Sequence, residues 1–344
     1  MATQTKVGKP PNQARYGAAS QVVTSLPPPA NLMATGSSEP DVVVVCVTYN
    51  SSAVIEALLA ALPSALESIA TCRVVIVDND SSDGTPAIVK QRAPWVRLIE
   101  AGSNSGYAGG INIALRNGLG SRGVYILNPD AVPSPGSVVR LLDAVESAPG
   151  VGIAVPAVLA VDGTLKFSLR REPTIMRAVG EALLGGHRAA RFPKLGDMIR
   201  NPAYYCDGAT ADWATGAAML VSRATIDAIG EWDERFWLYS EETDYALRLA
   251  DAGSRLCLVM SAEVRHPGGS MSTSPYLWSL VAINRTRLYR KRHSLVPSLF
   301  YWLVVLGNEA VRSLLGRPTH RAAVKALLKV GPNPPAELST PALM

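Results

Sequence analysis

No apolar run in this sequence approaches the ~20 residues that a helix needs to cross a bilayer. The nearly apolar stretch Leu295 to Leu306 has 12 residues, and Val42 to Val47 is shorter still. No basic segment precedes the latter in the manner of a secretory signal, so the expected location is the cytoplasm. Cysteine is scarce: Cys46, Cys72, Cys206 and Cys257 occur singly, which excludes zinc-ligand spacing and a disulfide scaffold and predicts buried reduced thiols. Charge of one sign is also in short supply. A net +5 over 344 residues gives no case for a nucleic-acid partner. The glycine-rich segment near residue 106 lacks the Gly-Lys-Ser/Thr ending of a Walker loop, and no dinucleotide fingerprint follows the first strand.

What is present is enough apolar residue, 48% of the chain, to bury one large α/β core. From residue 41, short β-branched runs alternate with helical patterns, the signature of βαβ units around a mainly parallel sheet. Strands are predicted at Val42 to Val47, Val74 to Val77, Val96 to Ile99 and Val124 to Leu127. Helices are predicted over Val54 to Ile69, with Pro63 a kink, and over Ala108 to Leu119. The second half is less regular, with a Trp213 to Val221 stretch, an acidic helix start at Ser240, a strand near Leu256 to Met260 and a helix containing Asn284 to Arg292. The organisation expected is a flexible leader over 1–40, two halves over 41–150 and 151–275, a helical extension over 276–330 and a flexible tail over 331–344. The leader is read from its prolines and small polar residues, which cannot offset their ordering entropy.

In open α/β sheets ligands bind outside the carboxyl ends of the strands, and polar clusters sit there. Thr48-Tyr49-Asn50 ends the first strand and Asp78-Asn79-Asp80-Ser81-Ser82-Asp83-Gly84 the second. Asp78 can accept from a pyrimidine N3–H or a ribose hydroxyl, and Tyr49 offers a ring face to a base. The same residues also read as a turn with an N-cap at Asn50 or Ser51. Asn128-Pro129-Asp130 follows the fourth strand, so Asp130 emerges at the same rim and fits a hard cation bridging a diphosphate. An Asn-Pro turn with a solvated carboxylate is the competing reading.

Taken in order, Val45 to Asn50, Val77 to Gly84, Asn104-Ser105-Gly106-Tyr107-Ala108-Gly109-Gly110-Ile111-Asn112 and Leu127 to Asp130 resemble the family 2 glycosyltransferases of the GT-A fold, specifically their rhamnosyltransferase-like branch. The resemblance spans residues 41 to about 270. It implies a GT-A-type nucleotide-sugar-binding α/β fold, a mainly parallel central sheet flanked by helices, with a C-terminal helical extension. It implies donor binding by Thr48, Tyr49, Asn50, Asp78, Asp80, Asn104, Gly106, Gly109, Asn112, Asn128 and Asp130. Asn128-Pro129-Asp130 stands in the place of the family's Asp-x-Asp motif, which makes Asp130 the main carboxylate ligand of Mg²⁺ or Mn²⁺, with His266 a further ligand or diphosphate contact. In Phe236 to Asp244 the family carries a Glu-Asp pair whose Asp deprotonates the acceptor. Glu242 occupies that position here, with Asp244 the alternative. An inverting displacement needs one such carboxylate opposite the leaving diphosphate. Without that role, Ser240 is an N-cap, Glu241 and Glu242 complement a helix start, and Asp244 pairs with Arg248.

The activity implied is transfer of a sugar, L-rhamnose from dTDP-rhamnose by resemblance, to a polyprenyl-diphosphate-linked or cell-envelope glycan acceptor. UDP-galactofuranose or UDP-N-acetylglucosamine are other donors to consider, and a non-catalytic sugar-nucleotide-binding protein is the non-enzyme reading. A nucleotidyltransferase would need a basic glycine-rich loop after the first strand, which Thr48-Tyr49-Asn50 does not supply. Arg285, Arg287, Arg290, Lys291 and Arg292 stand just before Leu295 to Leu306. Together these suggest a segment lying on the inner face of the membrane, with Phe300 and Trp302 buried in the boundary. A core-packing or homodimer helix is the alternative.

Overall fold

The computed structural model describes residues 24–33, 39–268, 273–335, 339 and 341. Most of the leader, Gly269 and Ser270 after His266, and part of the tail lie outside the described residues. The strands are β1 (Val42–Thr48), β2 (Cys72–Asp78), β3 (Arg97–Glu100), β4 (Gly123–Leu127), β5 (Val132–Pro133), β6 (Val151–Leu159), β7 (Leu169–Arg170), β8 (Thr210–Ala211), β9 (Trp213–Ala214), β10 (Ala218–Ser222) and β11 (Arg255–Arg265). The helices are α1 (Ile55–Ala65), α2 (Thr85–Arg92), α3 (Gly106–Arg116), α4 (Ser137–Ser147), α5 (Ile175–Leu184), α6 (Gly186–Ala189), α7 (Arg223–Ile229), α8 (Glu241–Asp251), α9 (Pro275–Arg292), α10 (Leu295–Leu314) and α11 (Pro318–Val330).

The main sheet runs β3-β2-β1-β4-β10-β6-β11-β5, with β8 paired to β11. β3, β2, β1 and β4 are mutually parallel, β10 is antiparallel to β4 and β6, and β6 is parallel to β11. The carboxyl ends of β1, β2, β4, β6 and β11 therefore share one rim with the start of β10. Every residue of β1 is buried. Its alternate side chains feed two cores: Val42, Val44 and Cys46 pack with α1 and α4, while Val43, Val45 and Val47 pack with α3 and α8. A run of valines suits such a strand because χ1 is already restricted and both faces are covered. α1 ends at Ala65, two residues beyond Pro63, yet Leu66 and Ile69 are still buried beyond it.

Part of the predicted leader is ordered against the sheet. Leu32 bridges to Cys72, and the Asn31 amide donates to the carbonyls of Leu66 and Ile69. Only a few residues are needed to satisfy the backbone beside β2, too short a signal for composition to reveal.

The C-terminal helices form a unit with its own core, in which Ala282, Ile283, Tyr289, Tyr301, Trp302, Val305, Ala323 and Leu327 meet Ala178 of α5. Leu295 to Leu306 divides between a core-packing face and an exposed face. Tyr301, Trp302 and Val305 face inward, while Leu295, Val296, Leu299, Phe300 and Leu303 are exposed. Trp302 is not available to a membrane. The cationic cluster is also turned inward: Arg285 pairs with Glu181, Lys291 with Asp233 and Asp244, and Arg292 with Glu172 and Asp251. Arg287 donates to the Arg235 and Pro335 carbonyls, and Arg290 to Asn333 and His293. Among the described residues no helix is long and apolar enough to cross a membrane.

Candidate functional site

At the end of β1 and β2 the polar residues first hold one another. Thr48 Oγ1 donates to Asp78 Oδ1 at 2.8 Å, and the Ser81 N–H and hydroxyl donate to the same carboxylate at 2.8 and 2.6 Å. Asp78 and Thr48 are buried, so this carboxylate fixes the turn that carries Asp80. Asp80 and Asn50 adopt left-handed backbone (φ 65° and 49°), which short polar side chains tolerate, and both are exposed. The Asn50 Oδ1 accepts the Ser82 N–H at 2.9 Å. Tyr49 stands out from the rim, 53% exposed, with its ring free to stack.

The glycine-rich segment meets this turn from the side. Asn79 Nδ2 donates to the Gly106 carbonyl at 2.8 Å and Ser105 Oγ donates to Asn79 Oδ1 at 3.0 Å. Gly106 has φ +77°, and a Cβ there would lie 2.3 Å from the Trp237 carbonyl oxygen; at Gly110 it would lie 2.5 Å from Val47. These glycines allow α3 to lie on β1 and beneath Trp237, a packing reason for their lack of a side chain. Gly109 is buried, and its Cβ would strike Ser105. Asn112 is entirely buried and joins α3 to the Trp232 backbone and Glu234. Asn104 caps its own turn, accepting from Gly106 N–H, while its carbonyl accepts from the Trp237 indole.

On the far side of β1 the rim carries Asp130. Asn128 N–H donates to the Ala217 carbonyl at 3.0 Å, fixing the turn after β4 to the start of β10. The Asp130 carboxylate lies 3.1 Å from His266 Nε2, both partly exposed. His266 follows β11, and Lys166 Nζ steadies that strand end by donating to the His266 and Pro267 carbonyls at 2.6 and 2.7 Å. Lys166 was not singled out in the sequence, because an isolated lysine after a turn carries no motif.

α8 brings the acidic residues. Glu242 lies against Gly216, where an added Cβ would sit 3.7 Å from its side chain, and Gly216 precedes β10 beside Asn128. The Oε2 atoms of Glu241 and Glu242 and the hydroxyl of Tyr107 are buried without a hydrogen-bond partner among the described residues. Burial first, then neighbouring Cys46, Glu241, Glu242 and Asp130, push the Tyr107 hydroxyl well above the ordinary tyrosine range. Burial pushes the Glu242 carboxyl up to about 7, with backbone N–H groups at the helix start and the Arg170 charge pulling the other way. Glu241, buried more deeply and facing the Glu242 charge, is driven well above the carboxylate range. Arg170, another residue without a sequence motif, donates to the Phe167 and Leu169 carbonyls and lies 5.9 Å over the Trp213 ring.

Asp244 is placed differently. Its carboxylate is 1% exposed, with one oxygen 2.9 Å from Arg248 Nε and the other 2.5 Å from Lys291 Nζ. Ser240 stands at the N-cap position of α8 with φ 72° and makes no side-chain cap. The rim therefore unites Tyr49, Asn50, Asp80, Asn128, Asp130, His266 and Glu242, while Gly106, Gly109, Asn112 and Asp244 sit in the packing that supports it.

A family model described as glycosyl transferase family 2 matches residues 43–203. The N-acetylglucosaminyl-diphospho-decaprenol L-rhamnosyltransferase of Mycobacterium tuberculosis is 35% identical over 240 residues, covering 65% of this chain and 75% of that protein. The low-salt glycan biosynthesis hexosyltransferase Agl10 of Haloferax volcanii is 26% identical over 217 residues, 60% of this chain and 61% of that protein. Among solved structures, the mannosyltransferase PcManGT from Pyrobaculum calidifontis in complex with GDP-Man and Mn²⁺ is similar with a TM-score of 0.49. It is 20% identical, with 87% of this chain and 78% of that one covered.

Proposed function

The chain belongs to glycosyl transferase family 2, and from that membership and the rim we infer an inverting, metal-assisted transfer of a sugar from a nucleotide diphosphate. The favoured donor is dTDP-L-rhamnose and the favoured acceptor a sugar on a polyprenyl diphosphate, a reading supported by the similarity to the mycobacterial enzyme. The observation that carries the mechanism is the position of Glu242: a carboxylate beside Gly216, whose neighbour Ala217 accepts from Asn128 in the turn that carries Asp130, with burial raising the Glu242 pKa to about 7.

In this reading Tyr49, Asn50 and Asp80, exposed at the ends of β1 and β2, receive the base and ribose. The acceptor hydroxyl attacks the anomeric carbon from the face opposite the diphosphate. As the new C–O bond forms, Glu242 takes the hydroxyl proton, and the bond to the diphosphate oxygen breaks with its electron pair leaving on the nucleotide. Asp130 and His266 supply one carboxylate and one imidazole, and no group of three or more acidic, histidine or cysteine side chains gathers among the described residues. Asp130 and His266 would hold Mg²⁺ or Mn²⁺, hard or borderline cations that accept a carboxylate and an imidazole. When bound, such a cation neutralises the charge growing on the leaving diphosphate.

The exposed side of α10 supports peripheral attachment to the inner face of the membrane. Val296, Phe300, Leu303, Val311 and Leu314 form an apolar stripe along it, and α5 packs beside it, followed by exposed Arg188, Arg191, Phe192 and Lys194.

A panel of dTDP-L-rhamnose, UDP-galactofuranose and UDP-N-acetylglucosamine with Mn²⁺ and a short-chain N-acetylglucosaminyl-diphospho-prenol tests the reading. Acceptor-dependent release of dTDP and a product of inverted anomeric configuration are expected. Preference for another donor corrects the sugar, retained configuration removes the mechanism, and tight nucleotide binding with no release from any donor leaves only a binding protein.

A further inference from the structure

Three polar side chains of α9, Asn284, Arg287 and Lys291, are spaced by three and four residues and so share one helix face. Each grips the segment leading into α8. Asn284 is entirely buried, and its Nδ2 lies 2.6 Å from the Phe236 carbonyl oxygen, 2.9 Å from that of Leu238 and 3.0 Å from that of Tyr239. Two amide hydrogens are thus shared among three acceptors. Arg287 donates to the Arg235 carbonyl at 2.5 Å, and Lys291 holds Asp233 and Asp244 on either side of the loop.

The loop they hold has a backbone it would not adopt unaided. Trp237, Tyr239 and Ser240 have φ of 49°, 69° and 72°, a region that bulky L residues avoid and that persists only where the surroundings over-determine it. Three carbonyl dipoles converging on one point repel one another unless a donor stands at the focus. The opposite side is held by the start of α3, where the Tyr107 N–H donates to the Trp237 carbonyl at 2.6 Å. Because Ser240 provides no side-chain cap, the loop itself fixes the first turn of α8, which carries Glu242.

We propose that Asn284 is a positioning residue for sugar transfer: by holding the carbonyls of Phe236, Leu238 and Tyr239 it keeps the loop closed and sets Glu242 against the acceptor. The inference rests on Glu242 being the base. It also gives the basic run before α10 a task, since Arg287 and Lys291 brace the same segment.

The test is a double-mutant cycle with dTDP-L-rhamnose, Mn²⁺ and a short-chain N-acetylglucosaminyl-diphospho-prenol. Asn284→Ala should lower kcat by roughly 10- to 100-fold, the scale of a small misplacement of a reacting group, with the dTDP dissociation constant unchanged. In a Glu242→Gln background the same substitution should cause no further loss. An equal further loss there, or wild-type kcat in folded Asn284→Ala while Glu242→Gln is impaired, overturns the proposal alone. Wild-type kcat in Glu242→Gln overturns the base assignment itself, and the proposal with it. Asn284→Asp keeps the volume, so it serves if the alanine variant fails to fold. Its neutral carboxyl can donate to the carbonyls but its ionised form repels them, so kcat should acquire an alkaline decline absent from the wild type. A flat alkaline side in that variant contradicts the proposal.

Discussion

Two aspartates of the acidic set show how identical side chains take different work from their surroundings. Asp130 is partly exposed beside His266, open to a ligand. Asp130→Ala should therefore abolish Mn²⁺-stimulated transfer and weaken Mn²⁺-dependent nucleotide binding measured by calorimetry; an unchanged metal response contradicts its role. Asp244 is buried between Lys291 and Arg248. Removing one member of such a pair leaves unmatched charge, but the two cations are partly solvated, so Asp244→Asn should cost about 2 kcal/mol, below the 3–5 of fully buried pairs. Thermal melting checks this, and a Tm within about one degree of the wild type contradicts it. From sequence the two roles were not separable for Asp244, because its partner Lys291 lies 47 residues away. The i,i+4 partner Arg248 was visible. The position of Asp130 at the rim, by contrast, was legible, because it follows a buried strand.

At the scale of elements, regular strands were legible and the connections that shape the site were not. The valine run of β1 and the apolar runs of β2 and β4 have the composition of strands covered on both faces. The asparagine- and glycine-rich opening of α3 was read for its motif. Its packing logic required knowing that Trp237, 131 residues downstream of Gly106 in the numbering, folds back onto it. Gly106→Ala combines a left-handed backbone with a Cβ inside the Trp237 carbonyl, and should destabilise the protein by roughly 1–3 kcal/mol while lowering turnover through the displaced loop. Denaturant unfolding and kcat together test this: a variant as stable and active as the wild type would mean that Trp237 moves without consequence. The cationic run of α9 looked like a membrane-facing patch because charge spacing on a helix does not disclose which acids lie opposite, and Glu172, Glu181, Asp233, Asp244 and Asp251 come from four separate stretches.

For the whole molecule, the GT-A sheet gathers on one rim the residues proposed to meet donor and acceptor, and the helical unit of α5 with α9 to α11 both braces the α8 loop and exposes an apolar stripe. Truncation after His293 would remove Tyr301, Trp302, Val305, Ala323 and Leu327 from that unit's core, so point substitutions are the better probe of membrane attachment. Phe300→Glu with Leu303→Glu, at positions 57% and 48% exposed, should release the protein from vesicles containing anionic lipid while leaving transfer to a short-chain acceptor near normal. Persistent sedimentation of that variant contradicts attachment through α10. The central claim, that the buried carboxylate of Glu242 is the base of an inverting transfer, concerns a group whose charged form is disfavoured by burial. Only its ionised form accepts the acceptor proton, so kcat should rise with pH and level off above about 7. The decisive measurement is the pH profile of kcat for the wild type and for Glu242→Gln with dTDP-L-rhamnose, Mn²⁺ and a short-chain acceptor. The account predicts an acid limb near pH 7 in the wild type and, in Glu242→Gln, a kcat lower by roughly 10²-fold or more with that limb abolished and dTDP affinity retained; a variant that keeps both the rate and the limb would contradict it.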